Sequence, residues 1–273
     1  MTRPTKTTIF VAAAALLICY ASTLAGMADQ WMTDEDMGHG FAVPFVVGWV
    51  VMREKDNWIG SAQSPSHWGW LVLLAGAGMQ FVSMVGAGLF AGSVALLISA
   101  AGLVVTLGGF GLLRAWAFPL LLSVCMLPKL AVVYNQVTLP LQLFASKAAA
   151  YMLLMLGAAV RRSGNILEIG GHQISVAEAC SGIRYLLPLV FLSLVIGYLA
   201  SSKLWLRIAL VATSVPLAIF ANAVRVAGSA WSPTLAEGTP HALMGLVIFM
   251  LCLAALAGLS RVSIAVGESR NAT

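Results

Sequence analysis

Runs of about twenty apolar residues recur from one end of this chain to the other, and a helix crossing the roughly 30 Å hydrocarbon core of a bilayer needs about that many. With 60% of its 273 residues hydrophobic and only 9% charged, the chain has too little polar surface to cover a soluble globule. The fold class that follows is all-α integral membrane, organised as a single polytopic membrane domain over residues 1–273, with the lipid bilayer as its solvent. The net charge of +5 comes from scattered Lys and Arg rather than a run. Such charges set topology, so nucleic acid is not an expected partner. Cys19, Cys125, Cys180 and Cys252 form no CxxC pair, and His39, His67, His172 and His241 lie far apart. Neither a metal site nor a disulfide framework is indicated, and no cofactor is expected.

Taken in order, Arg3 and Lys6 precede a first apolar run from Thr7 to about Gly26, read as a retained helix with a cytoplasmic N-terminus. The loop Asp29 to Asp36 is acidic, as expected of an outer loop. His39-Gly40 opens a second run ending in Arg53-Glu54-Lys55. Runs from about Trp68 to Leu89 and Ala91 to Leu113 form a Gly-rich hairpin, whose small residues permit close helix packing. A fifth span runs from Trp116 to about Val133, interrupted by Pro119 and Pro128.

Leu139 to Val160 is long enough to cross but carries Pro140, Gln142 and Lys147, and the Lys/Arg count on the two sides is tied whether it crosses or not. A re-entrant or interfacial helix is the preferred reading, because these polar residues need protein or water around them. Between Arg161 and Ala179, two alternating stretches flank Gly170-Gly171 and read as a short extracytoplasmic β-hairpin. Spans from about Cys180 to Ala200, Leu204 to Ala221 and His241 to Leu259 bring the total to about eight transmembrane helices.

Among the cysteines only Cys180 has polar neighbours suited to reaction: Glu178 before it, Ser181 and Gly182 after it, and Arg184 one helical turn on. Ser175 and Glu178 have capping-box spacing, and a helix starting there puts Cys180 near its positive end, where a thiolate is favoured. The alternative is a small residue packed at a helix entrance, with Arg184 snorkelling to the interface. Asn222 and Arg225 stand at the expected outer end of the seventh span and His241 at the start of the eighth. Thiol, guanidinium and imidazole thus converge, and intramembrane polar groups of this kind are usually functional.

Ala179-Cys180-Ser181-Gly182-Ile183-Arg184, then Asn222-Ala223-Val224-Arg225, then His241 with Gly245 four residues on, resembles the exosortase/archaeosortase family of integral-membrane cysteine transpeptidases. Trp31, His39-Gly40 and Pro44 resemble the family's early His-Gly motif, and Leu139-Pro140-Leu141-Gln142 is also similar. The resemblance implies Cys180, Arg225 and His241 as catalytic residues facing the extracytoplasmic side. Arg184, Glu178 and Asn222 are supporting candidates. It implies substrates that are exported proteins with a C-terminal sorting signal made of a short motif, typically Pro-Glu-Pro, a transmembrane helix and a basic cluster. His241, where archaeal relatives tend to have arginine, favours a bacterial exosortase of the inner (cytoplasmic) membrane, linked to exopolysaccharide production. The expected chemistry is attack by Cys180 to give a thioester, with transfer to an envelope or extracellular acceptor. The alternative class is a non-catalytic transporter or polysaccharide-export component, in which the same charges line a pathway.

Overall fold

The computed structural model describes residues 5–62, 64–176, 182–200 and 203–269. The chain divides into two compact units, residues 1–130 and 131–273. Among the described residues five stretches are long and apolar enough to cross a membrane, or six if a bent helix pair counts as one span. The chain is therefore a multi-pass membrane protein, and one of these stretches, Trp68–Ala115, holds both helices of the expected hairpin.

In the first unit the initial apolar run is not one straight helix. Helix α1 (Lys6–Cys19) and helix α2 (Ala21–Thr33) meet at 65° about Tyr20, and α2 continues into the expected acidic loop. The break has a side-chain cause. Tyr20 is buried, and its hydroxyl lies 2.7 Å from Ser99 Oγ and within 3.2 Å of the Gly76 and Ala95 carbonyls. These acceptors belong to α5 (Trp68–Val82) and α6 (Gly88–Ala115). The two pack antiparallel about a turn at Ser83–Ala87, as the Gly-rich hairpin required. A Cβ at Gly76 would sit 2.1 Å from Ser99 Oγ, so the approach depends on glycine. Gln80 Nε2 adds a bond of 2.9 Å to Thr23 Oγ1, satisfying two buried polar groups at once.

The second and fifth spans are shorter than expected. The second is a 3₁₀ turn (Gly38–Phe41), α3 (Ala42–Arg53) and α4 (Lys55–Ser61). At 12 residues α3 is only about 18 Å long. The fifth is α7 (Ala117–Ser123) and a 3₁₀ turn at Val124–Met126, after which the chain turns extended at Leu127, before Pro128, which has no amide hydrogen to continue a helix. Trp31, His39 and Gly40 gather on that turn. Trp31 Nε1 donates to the Met126 carbonyl at 3.1 Å, His39 Nε2 to the Cys125 carbonyl at 3.1 Å, and Gly40 lies against the Trp31 ring. Lys129 pairs with Asp34 at 2.5 Å and Asp36 at 3.3 Å. The early motif thus clamps its own unit together.

In the second unit the segment expected to be re-entrant is one continuous helix, α8 (Ala131–Met155), of spanning length, with Pro140 inside it. Its polar residues are accommodated by protein: Thr138, Gln142 and Ser146 are buried at helical spacing with Ala145, Ala149 and Leu153, while Lys147 faces outward. The expected hairpin is a three-stranded antiparallel meander of β1 (Val160–Ser163), β2 (Ile166–Ile169) and β3 (His172–Ser175). Ser163 faces Ile166 and Ile169 faces His172, so each turn has two residues, Gly164-Asn165 and Gly170-Gly171, and the three glycines take positive φ. Arg162 Nη1 and Ser146 Oγ both donate to the Gly164 carbonyl, at 2.8 and 3.0 Å, and tie the sheet to α8.

Helices α9 (Ile183–Ala200), α10 (Leu204–Trp231) and α11 (Gly238–Ser269) complete the unit. Leu167 and Val176 from the sheet region pack with Ala149 and Leu153 of α8 and Val226 and Ala230 of α10. Leu189, Ala218, Ala221, Cys252 and Leu256 join α9, α10 and α11. Two expectations change here. Ser175 ends β3 rather than capping a helix, and α9 begins at Ile183. Helix α10 runs well past Ala221, so Asn222 and Arg225 are helix-interior residues.

Candidate functional site

Cys180 and Glu178, the expected nucleophile and its neighbour, lie outside the described residues. Val176 is held by Asn165 through two bonds: its amide donates to the Asn165 carbonyl at 2.8 Å, and its carbonyl accepts from Asn165 Nδ2 at 3.2 Å. On the far side Gly182 has φ +90°, and a Cβ there would stand 3.1 Å from the Asn222 Cβ. Its carbonyl accepts from the Tyr185 and Leu186 amides and so starts α9. The chain two residues past Cys180 therefore rests on Asn222, one turn before Arg225 on α10.

Arg225 is 3% exposed although it carries a permanent charge. A buried cation is costly unless paired and hydrogen-bonded. Its Nη2 lies 2.6 Å from His241 Nε2, while Nε and Nη1 have no hydrogen-bond partner among the described residues. The Tyr185 ring lies 5.1 Å from the guanidinium carbon, within cation–π range. Tyr185 in turn packs against Phe249 at 6.2 Å between ring centres, and Gly245 leaves room for its hydroxyl. Arg184 lies in the first turn of α9, half-buried, one residue before Tyr185.

His241 lies in the first turn of α11, as expected. Its Nδ1 is 2.8 Å from the Leu235 carbonyl and 3.3 Å from Ser229 Oγ. The arrangement brings a buried guanidinium with two unsatisfied donors against an imidazole. Such donors suit a thiolate or an oxyanion, each of which gains strength from a fixed positive charge in a low-dielectric site. No cluster of metal-ligating side chains occurs among the described residues.

Of the expected site residues, Arg225 and His241 are brought together directly, and Asn222 lies under the chain leading from Cys180. Three further contacts of this pair, from Ser229, Tyr185 and the Leu235 carbonyl, were not expected. Ser229 carried a signal, because Asn222, Arg225 and Ser229 form a polar stripe at i, i+3 and i+7 on the otherwise apolar second half of α10. Tyr185 could have been noted only as the aromatic next to Arg184. The Leu235 carbonyl had no signal, since every residue carries one.

Searches of curated proteins and of solved structures returned no match. A protein-family model described as transmembrane exosortase matches residues 31–258, most of the chain and the whole of this site. The match covers well over half of the chain, in keeping with the multi-pass helical fold, and the chain belongs to the transmembrane exosortase family.

Proposed function

We propose that this protein is a membrane-embedded cysteine transpeptidase that cleaves the C-terminal sorting signal of exported proteins, of the Pro-Glu-Pro type. Family membership supports a membrane transpeptidase role, and the observation that carries the chemistry is Arg225, buried with two donors unpartnered among the described residues and set against His241. Cys180 as thiolate attacks the peptide carbonyl beside the motif. The C–S bond forms, the C–N bond breaks, and the amine of the helical tail leaves with a proton from His241. Arg225 holds the charge on sulfur and then on the tetrahedral oxygen. The thioester passes to an acceptor in the envelope or outside the cell, in a process linked to exopolysaccharide production. Asn222 orients the chain that carries Cys180, and Arg184 and Glu178 serve as supporting charges. The site works on the extracytoplasmic face of a bacterial inner membrane.

The test is a tailed reporter protein expressed with the enzyme. Cys180→Ala should abolish processing while the protein accumulates normally. Cys19→Ala, Cys125→Ala and Cys252→Ala should process the reporter, since these thiols sit in apolar runs where a small residue suffices. Processing by Cys180→Ala would remove the thiol mechanism and favour the transporter reading, which does not need sulfur.

A further inference from the structure

The orienting partner of His241 is a backbone carbonyl, and a buried serine holds that carbonyl in place. Leu235 closes the 3₁₀ turn Pro233–Leu235 between α10 and α11, and its oxygen receives two donors. Ser229 Oγ lies 3.1 Å from it and His241 Nδ1 2.8 Å. A carbonyl only accepts, so both the hydroxyl hydrogen and the Nδ1 hydrogen point at it. Nε2 is then the bare nitrogen, and it faces Arg225 Nη2 at 2.6 Å. Arginine only donates, which fits a lone pair on Nε2 and excludes a hydrogen there. Two independent contacts, one at each nitrogen, specify the same tautomer.

Ser229 joins Ser146 among the described helical serines whose hydroxyl reaches a carbonyl outside its own helix. Ser93, Ser123, Ser193, Ser214 and Ser260 each donate to a carbonyl of their own preceding turn, the common fate of a hydroxyl in an apolar helix. Ser229, 6% exposed, instead reaches forward to Leu235, out of α10 and into the turn that leads to His241.

We propose that Ser229, acting through the Leu235 carbonyl, is the positioning residue that fixes His241 in the Nδ1–H tautomer and presents its Nε2 lone pair to Arg225. This rests on the reading of His241 as the group that moves the proton. In the resting site Nε2 is occupied by Arg225. When the charge developing on the Cys180 sulfur draws the guanidinium away, Nε2 is released with its lone pair already aimed, takes the proton from the thiol and later passes it to the leaving amine. A histidine in the other tautomer has its hydrogen on Nε2 and cannot accept there.

The full chain, purified in lipid nanodiscs with ¹⁵N-labelled histidine, tests this directly, with His241→Gln identifying the His241 signals. The wild type should show a protonated Nδ1 and a bare Nε2. Ser229→Ala should populate the other tautomer and lower kcat for a tailed substrate by about tenfold to a hundredfold, the range lost when the orienting partner of a ligand histidine is removed, with KM unchanged. Ser229→Thr, which keeps the hydroxyl, should restore both. A wild-type spectrum with hydrogen on Nε2 overturns the proposal without any variant. So does a Ser229→Ala protein with the wild-type spectrum and turnover. If no tailed substrate is processed by any of these proteins, the proposed function fails while the spectra still decide the role of Ser229.

Discussion

Gly245→Ala adds one methyl group to the site at its tightest point. A Cβ at position 245 would lie 2.2 Å from the Tyr185 hydroxyl oxygen, more than 1 Å inside ordinary contact, and 3.4 Å from Arg225 Nε. The hydroxyl belongs to a ring held between Arg225 and Phe249, so the methyl is relieved only by moving the ring. Overpacking of this kind costs about 1–3 kcal/mol, and the higher helix propensity of alanine returns about 1 kcal/mol, so the net loss of stability is small. Function should be affected far more. A shift of about 1 Å in a group that positions the chemistry is worth on the order of 10²-fold in rate, and the cation–π attraction that the moved ring gives up is worth up to about 2 kcal/mol where desolvated. The assay is kcat on a tailed reporter in Gly245→Ala, Tyr185→Phe and the double variant. Without the hydroxyl the next nearest atom is Tyr185 Cζ at 3.3 Å, which a shift of a few tenths of an ångström relieves. The double variant should therefore recover most of the activity lost in Gly245→Ala, a coupling that two independent defects would not produce. Wild-type turnover in Gly245→Ala, or a double variant no better than the single one, would refute the role of Tyr185 as the platform under Arg225. Gly258→Ala is the control, because a Cβ there meets nothing within 4 Å.

Arg225→Lys should lose turnover nearly as fully as Arg225→Ala, by about 10²-fold or more in kcat, because an ammonium cannot keep the bond to His241 Nε2 while offering two further fixed donors. Tyr20→Phe should destabilise the protein by about 1–3 kcal/mol in thermal unfolding without altering kcat, since it leaves the buried Ser99 hydroxyl short of a partner.

Hydropathy by itself determined that this chain is a multi-pass helical membrane protein, and the order of Cys180, Asn222, Arg225 and His241 pointed to its family before any contact was known. The Gly-Gly turn and the glycine-rich hairpin were equally legible, since both depend on backbone needs that only local residues supply. The first strand was missed, although Gly164-Asn165 is a two-residue turn signal of the same kind. What hydropathy did not reveal was where helices bend, stop or continue. An apolar run looks the same whether it is straight or broken, and the bend at Tyr20 is decided by a hydroxyl that finds Ser99 on another helix. Pro140 lies inside α8 and Pro128 follows a helix that has already ended, a difference made by the packing around each rather than by the residue type. Likewise the extension of α10 past Ala221 turned two expected helix-end residues into buried ones, and so made Arg225 a desolvated cation. The pairing of Arg225 with His241 and the use of the Leu235 carbonyl belong to the tertiary structure alone, because a hydrogen bond between separate elements depends on where two backbones are brought together, and no residue type or spacing encodes that.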